Sequence, residues 1–136
     1  MTQLSAGGCT FTFERPAAGV VVVRIRGFDK GELGDAPLKE ISSGFGLGRA
    51  IELFVDASQA SGAAKEVSDA WTQFFAERRK DLKSVHVLVG SKVVHLTVAI
   101  AQHLSRTGSL VQLYSDPEIF ADRLRLAQQA NSGSGR

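Results

Sequence analysis

Several features that would define a chemical function are scarce in this chain of 136 residues. It has one cysteine, Cys9, which excludes an internal disulfide and a zinc site built from several cysteines. Its three histidines, His86, His95 and His103, lack the spacing of paired metal ligands on one helix. No GxSxG motif presents a nucleophile. The sequence therefore predicts no metal, no cofactor and no catalytic residue, and we do not expect an enzyme.

Long apolar runs and strong charge are also missing. No run approaches the length of a membrane span, and residues 1–8 do not combine a basic stretch with an apolar one, as a secretion signal would. The net charge of +2 is not gathered into a basic stripe with interleaved aromatic residues. We therefore expect a cytoplasmic protein without an integral membrane segment and without a nucleic-acid partner.

The composition of the chain is that of a globular domain. Hydrophobic residues make up 43% and charged residues 22%, which argues against disorder. A chain of this length buries a sizeable core without disulfides. We predict a single domain over residues 9–129, with flexible ends at residues 1–8 and 130–136.

The centre of the chain predicts a strand, a turn and a helix. Residues 51–55 form a short apolar run, which is typical of a sheet strand covered on both faces. The following residues, DASQASG, have the composition of a turn, and from Ala63 onwards the apolar residues recur at helical spacing.

Strands and helices alternate over the remaining chain. Two N-terminal strands, near residues 10–14 and 20–26, are expected to form a hairpin, and further strands are predicted at 82–89 and 110–114. Helices are predicted after Asp35, after the strand at 82–89 and in the segment SDPE that follows Tyr114. The prediction is an α/β layered domain with a mixed five-stranded sheet and about four helices, in the order ββαβαβαβα.

Polar residues follow the central strand, at the edge where open α/β sheets usually bind ligands. They are Asp56, Ser58, Ser61 and Ser68. Ser61 with Gly62 either caps the next helix or marks a place where a phosphate would meet free backbone N–H groups. The capping role is favoured by the sequence alone, and both alternatives stay open at this point.

The helix predicted after residue 92 has apolar residues around more than half of its circumference. Val94 and Val98 belong to this surface, which is wider than one buried stripe requires. Its extra neighbour is either another helix of the same domain or a partner subunit. A homodimer through this helix is one expectation.

Five segments together resemble a known family over residues 11–126: GVVVVRIRG, IELFVDAS, SDAWTQFF, VHVLVGSK and LVQLYSDPEIFADRL. The pattern is similar to the STAS superfamily of anti-sigma-factor antagonists, and especially to its SpoIIAA-like branch. The resemblance implies a non-enzymatic bacterial signalling domain. In this family a partner kinase phosphorylates a serine at the start of the helix after the third strand, and the phosphate switches protein binding.

Two short motifs carry the family's functional positions onto this chain. Asp56-Ala57-Ser58 resembles the D-x-S that ends the family strand, and Ser61-Gly62 resembles the switch serine with its glycine. The chain departs from the family pattern in a shorter connection and in Ala60, where the family has an aspartate.

Two functions of different classes follow from these observations. The first is a regulatory module that binds a protein partner, such as a kinase or an anti-sigma-like regulator, through residues 58–68 and the flank of the helix with Val94 and Val98. The second is a carrier or sensor of a small apolar ligand or lipid, because the SpoIIAA-like branch is similar in fold to lipid-binding domains. A cavity would favour the carrier, and a phosphate on Ser61 would favour the regulatory module.

Overall fold

A computed structural model describes residues 2–45, 49–90 and 110–133 of the chain. Within these ranges the chain forms six strands and three α-helices. The strands are β1 (Thr2–Ala6), β2 (Cys9–Ala17), β3 (Val20–Asp29), β4 (Ile51–Ala63), β5 (Leu82–Val89) and β6 (Val111–Tyr114). The helices are α1 (Ala36–Ser42), α2 (Lys65–Glu77) and α3 (Pro117–Gly133), and a single 3-10 turn (Arg79–Asp81) leads into β5.

All six strands lie in one mixed sheet, in the order β1-β2-β3-β4-β5-β6. The pairs β1/β2 and β2/β3 are antiparallel, whereas β3, β4, β5 and β6 run parallel to their neighbours. The α/β class, the mixed sheet and the hairpin of β2 with β3 are therefore confirmed. The predicted helix with Val94 and Val98, and the homodimer through it, lie outside the described residues.

The count of five strands is wrong, because β1 lies in the segment that was predicted to be a flexible end. Gly7, with φ of +59°, makes the tight turn between β1 and β2. Leu4 pairs with Phe11 across this hairpin and packs against the hydrophobic core. Pairing with β2 therefore orders a segment whose own composition carries little strand preference.

The predicted turn after residue 55 is also wrong. β4 continues through the turn-like sequence to Ala63, and its pairing with β3 runs from Glu52 to Ala63. Helix α2 begins at Lys65, with Ala64 as its N-cap and no side-chain hydrogen bond to the cap. Ser61 therefore does not cap α2, because hydrogen bonding to β3 overrides the local turn preference of serine and glycine.

The two faces of the sheet have separate hydrophobic clusters. The larger cluster lies under α1 and α2 and includes Ile41, Leu53 and Phe75. The smaller cluster lies under α3. Its members from the sheet are Val20, Val22, Phe54 and Leu88, and those from the helix are Phe120 and Ala127, with Leu124 packed against them.

Helix α3 begins within the segment SDPE, as the sequence predicted. Pro117 is its first residue, and the Glu118 backbone N–H donates to Asp116 Oδ1 at 2.9 Å. Proline suits this position because its missing N–H would be unsatisfied there in any case. Asp116 thus caps the helix that covers the second face of the sheet.

Candidate functional site

The C-terminal part of β4 contains four of the five candidate residues, and two irregularities in its pairing with β3 shape it. Arg24 pairs with Asp56, but Arg26 pairs with Gln59, so β4 contains one extra residue in this interval. A second extra residue, Ser61, lies between the partners of Gly27 and Phe28. Such bulges turn side chains away from the regular alternation.

Asp56 and Ser58 form a local hydrogen-bonded unit at the first bulge. The Ser58 backbone N–H donates to Asp56 Oδ1 at 3.0 Å, and the Ser58 hydroxyl donates to the same oxygen at 2.5 Å. Both side chains are half-buried. The Ser58 hydroxyl is therefore already engaged, and its role in the structure is to hold the bulge.

Ser61 and Gly62 form the second bulge, next to an exposed aromatic ring. Ser61 is exposed, and Phe28, the partner of Gly62, has 40% of its surface exposed. Gly62 has φ of +146°, and a Cβ at this position would lie 3.0 Å from Phe28 Cε2. Glycine is thus required both by the backbone conformation and by the ring of Phe28. The sequence analysis did not identify Phe28. Its signal was the alternation of Arg24, Arg26 and Phe28, which places an aromatic residue in the same alternating series as two charged ones.

Ser68 is separated from the other candidates because it lies in α2. Its backbone N–H donates to the Ala64 carbonyl at 3.1 Å, and its carbonyl accepts from the Thr72 hydroxyl at 3.0 Å. The residue is half-buried. The structure therefore brings Asp56, Ser58, Ser61 and Gly62 together on one strand and leaves Ser68 on the helix.

The last six residues of β4 extend beyond β5. Pairing between these strands ends at Ala57 and Val89, and Gly90 passes so close to Ser58 that a Cβ there would lie 2.8 Å from the Ser58 carbonyl oxygen. We call residues 58–63 the β4 extension. Among the described residues, only β3 pairs with the β4 extension.

A buried polar network lies near the N-terminal end of β4, and the sequence did not predict it. Glu52 Oε2 lies 3.1 Å from His86 Nε2 and 3.2 Å from Arg123 Nη2. His86 is fully buried and stacks on Phe54, with 4.4 Å between the ring centroids. The Tyr114 hydroxyl lies 2.8 Å from His86 Nδ1. The signals in the sequence were a glutamate and a histidine inside otherwise apolar strands.

The protonation of this network follows from its surroundings. Burial lowers the pKa of His86, against the opposing effect of the hydrogen bond to Glu52. The His86 ring lies within hydrogen-bond distance of Glu52 and Ser84 at Nε2 and of the Tyr114 hydroxyl at Nδ1, and that hydroxyl donates to Gln112 Oε1 at 3.0 Å. Burial also raises the pKa of Tyr114, so its hydroxyl keeps its proton. Because His86 has no exposed surface, the network binds α3 to the sheet rather than meeting a substrate.

A third feature is a cleft between α1, α2 and the loop after β3, with a volume of about 240 Å³. Asp29, Asp35 and Glu66 are its charged lining residues. Nearby, burial raises the pKa of the Cys9 thiol to about 11, with further contributions from Asp29 and Glu32. Cys9 is therefore a protonated core residue and not a nucleophile.

Metal ligation has no support among the described residues, because no three His, Cys, Asp or Glu side chains gather there as ligands. In the same part of the chain, no helix combines the length and the apolar character needed to cross a membrane.

The chain has a SpoIIAA-like fold. Over 89% of its length it is similar to an uncharacterized protein from Shewanella loihica PV-4, of the DUF3478 family with a SpoIIAA-like fold, with a TM-score of 0.60, 17% identity and 98% of that chain covered. It is also similar to the anti-sigma factor antagonist SpoIIAA in its unphosphorylated form, with a TM-score of 0.57 and 17% identity. That match covers 85% of this chain and 96% of SpoIIAA.

The sequence itself gives no closer assignment, because no family model and no curated protein matches it. At 17% identity the two solved structures establish the fold alone. The predicted resemblance to the SpoIIAA-like fold is thereby confirmed.

Proposed function

We propose that this chain is a non-enzymatic, cytoplasmic regulatory module that binds a protein partner through the β4 extension and the adjacent Phe28. We further propose that phosphorylation of Ser61 by a kinase prevents this binding. The observation that carries the proposal is the arrangement at the second bulge, where an exposed serine is the extra residue beside a partly exposed aromatic ring.

Exposure and hydrogen bonding support Ser61 over Ser58 and Ser68 in this proposal. The Ser61 side chain is exposed, and among the described residues its hydroxyl has no hydrogen bond. The Ser58 hydroxyl, in contrast, donates to Asp56, and Ser68 is half-buried on α2. Of the three candidates, Ser61 is therefore the exposed one, which supports it as the position for a kinase.

A phosphate on Ser61 would not act by capping helix α2, because Ser61 lies within β4 and precedes α2 by several residues. A phosphate on Ser61 would add roughly two negative charges beside Phe28. A partner that buries Phe28 would have to remove water from those charges, which is costly unless it supplies cations. Phosphorylation would thus weaken an interface centred on Phe28.

The likeness to the anti-sigma factor antagonist SpoIIAA supports a regulatory module. The carrier interpretation receives no such support. The cleft of about 240 Å³ is smaller than the roughly 300–1,000 Å³ of sites that enclose drug-sized ligands. A lipid chain would need more enclosed apolar volume than this cleft provides.

The test is a crosslinking experiment in the protein's own host. Phe28 is replaced by the photoreactive residue benzoyl-phenylalanine, and the matched control carries the same residue at Leu126, an exposed apolar position on α3. We expect a discrete protein adduct from position 28 that is absent from position 126. The adduct should persist with Ser61→Ala and disappear with Ser61→Asp.

Two results would contradict the proposal. Equal adducts from both positions would show that the contact is nonspecific. An adduct from position 28 that is unaffected by Ser61→Asp would show that a negative charge at Ser61 does not control binding at Phe28. The proposed role of phosphorylation would then be wrong.

A further inference from the structure

The surface around Phe28 has an uneven distribution of charge. Arg26 lies two residues before Phe28 and Lys30 two residues after it, and all three side chains are exposed. Arg26 pairs with Gln59 and Phe28 pairs with Gly62, so this end of β3 adjoins the β4 extension. An exposed aromatic ring is thus flanked along the chain by two cationic side chains.

The alternation of β3 places these residues on one face of the sheet. Val20 and Val22 belong to the smaller cluster under α3, so Arg24 and Arg26 lie on the same face. Phe28 continues this series at the end of the strand, and 40% of its surface is exposed. This part of the face is therefore accessible, beside the part that α3 covers.

Two of the cations on this surface have no partner within the protein. Arg26 and Lys30 make no hydrogen bond and no ion pair with another described residue. Arg24 differs from them, because its Nη1 lies 2.7 Å from Glu14 Oε1. The charges of Arg26 and Lys30 are therefore available to an anionic group of a partner.

The acidic residues around this surface leave its positive charge in place. Asp29 is buried, and Glu32 lies against Gly7 in the turn between β1 and β2. Asp56 is half-buried and accepts hydrogen bonds from Ser58. The β4 extension itself contains no charged residue. The docking surface therefore keeps an excess of positive charge.

Building on the proposed function of the same site, we propose that the partner docks an acidic segment here. An apolar side chain of that segment packs against Phe28, and its carboxylates lie opposite Arg26 and Lys30. Complementary charges steer such a segment to the surface and orient it there. A protein segment fits better than a nucleic acid strand, because strand binding uses several stacking rings and Phe28 is the single exposed aromatic residue among those described.

The same charge gives a phosphate on Ser61 a direct effect. The phosphate would add roughly two negative charges beside two cationic side chains. It would cancel the positive charge of the docking surface and repel the carboxylates of the partner. Phosphorylation would thus discriminate against an acidic partner in particular.

The test uses the crosslinking assay with benzoyl-phenylalanine at position 28, in the protein's own host. The first variant combines Arg26→Glu with Lys30→Glu and is compared with the unchanged chain at equal expression. The matched control combines Lys80→Glu with Lys83→Glu, which makes the same change in charge at exposed positions by the start of β5. We expect the protein adduct to fall about tenfold in the first variant and to stay unchanged in the control.

Two further measurements separate an effect of charge from an effect on folding. The milder combination of Arg26→Gln with Lys30→Gln should lower the adduct about threefold, and circular dichroism of the purified variants checks their folding. Mass spectrometry of the adduct identifies the crosslinked segment of the partner. Replacing the acidic residues of that segment by lysine should restore the adduct with the Arg26→Glu, Lys30→Glu variant, a rescue that a misfolded chain would not give.

The outcomes distinguish a failure of this inference from a failure of the proposed function. An adduct that the reversal of Arg26 and Lys30 leaves unchanged, an equal loss in the control, or a crosslinked segment without acidic residues would overturn the acidic partner alone. Loss with that reversal but not with Ser61→Asp would support the acidic partner and refute the switch. An adduct that nuclease digests, or no adduct from position 28, would overturn both.

Discussion

Along β4, residues 51–57 pair with β3 on one side and with β5 on the other, whereas among the described residues the β4 extension pairs only with β3. The first part is largely buried, with Leu53 and Phe54 fully enclosed. The β4 extension has serines, glutamine and glycine, and it contains Ser61, the extra residue of a bulge. One strand thus provides both the centre of the core and the proposed contact surface.

The difference teaches how a rigid scaffold presents a functional segment. The paired part fixes the direction of the strand, and the β4 extension continues it to the surface, where Gln59 and Ser61 are exposed. Substitutions in the two parts should therefore differ in their effect on stability by several kcal/mol, and each of the following predictions tests that difference.

The largest effect is expected for Leu53→Ala. Leu53 is completely buried in the larger cluster, so the substitution should lower the free energy of unfolding by about 3 kcal/mol through lost burial and the cavity left behind. Gln59→Ala in the β4 extension is the matched control and should change stability by less than about 0.5 kcal/mol. Urea denaturation measures both, and similar losses would refute the contrast between the two parts.

A smaller loss is expected for Glu52→Ala. This substitution removes the carboxylate that accepts from His86 and Arg123, and it should cost about 2 kcal/mol because a buried group loses its acceptor. Arg123→Ala should cost less, about 0.5 kcal/mol, because the Arg123 side chain is 41% exposed and solvent screens its charge. Equal losses for the two variants would contradict the conclusion that the buried pair of Glu52 and His86 contributes more to stability than the exposed Arg123.

The pH dependence of stability tests the same part of the sheet. Burial lowers the pKa of His86 in the folded protein, so below its ordinary value of 6.5 the unfolded chain binds a proton more readily. Stability should therefore fall as the pH decreases through this range, by less than about 1.4 kcal/mol for each pH unit, the limit for one proton.

His86→Gln isolates this effect, because the variant lacks the titrating group but retains a polar side chain. The stability of the wild type relative to His86→Gln should decrease on acidification. A relative increase would mean that the Glu52 carboxylate outweighs burial and that the folded protein prefers the charged imidazolium.

The smallest effect on stability is expected for Ser61→Asp. Ser61 is exposed, so the free energy of unfolding should change by less than about 0.5 kcal/mol. Thermal unfolding of this variant and of Ser61→Ala measures the change. A destabilisation above 1.5 kcal/mol, which is about three times the expected limit, would show that the bulge is a structural element and that loss of partner binding reflects misfolding.

The sequence predicted the regular elements well where pattern and environment agree. The apolar run of β5 and the capped start of α3 were both identified from residue patterns and cap chemistry. In these elements the local preference and the tertiary contacts point to the same structure.

The predictions from sequence were wrong where pairing between distant strands determines the local structure. The composition of residues 56–62 predicted a turn where β4 continues, because the pairing of Gly62 with Phe28 depends on a distant strand. β1 was missed for the same reason, since its order depends on β2. The cleft near Asp29 also joins residues from separate elements, which no spacing in one segment could indicate.

The order of the strands across the sheet is the order in which they are synthesised. None of the six described strands has to insert between two that are already paired, so this sheet can grow at a single edge as the chain leaves the ribosome. The antiparallel meander of β1, β2 and β3 can form before Ile51 emerges. The apolar residues of β4 can then pair with β3 as soon as they emerge. This shortens the time for which an aggregation-prone apolar segment is exposed to water.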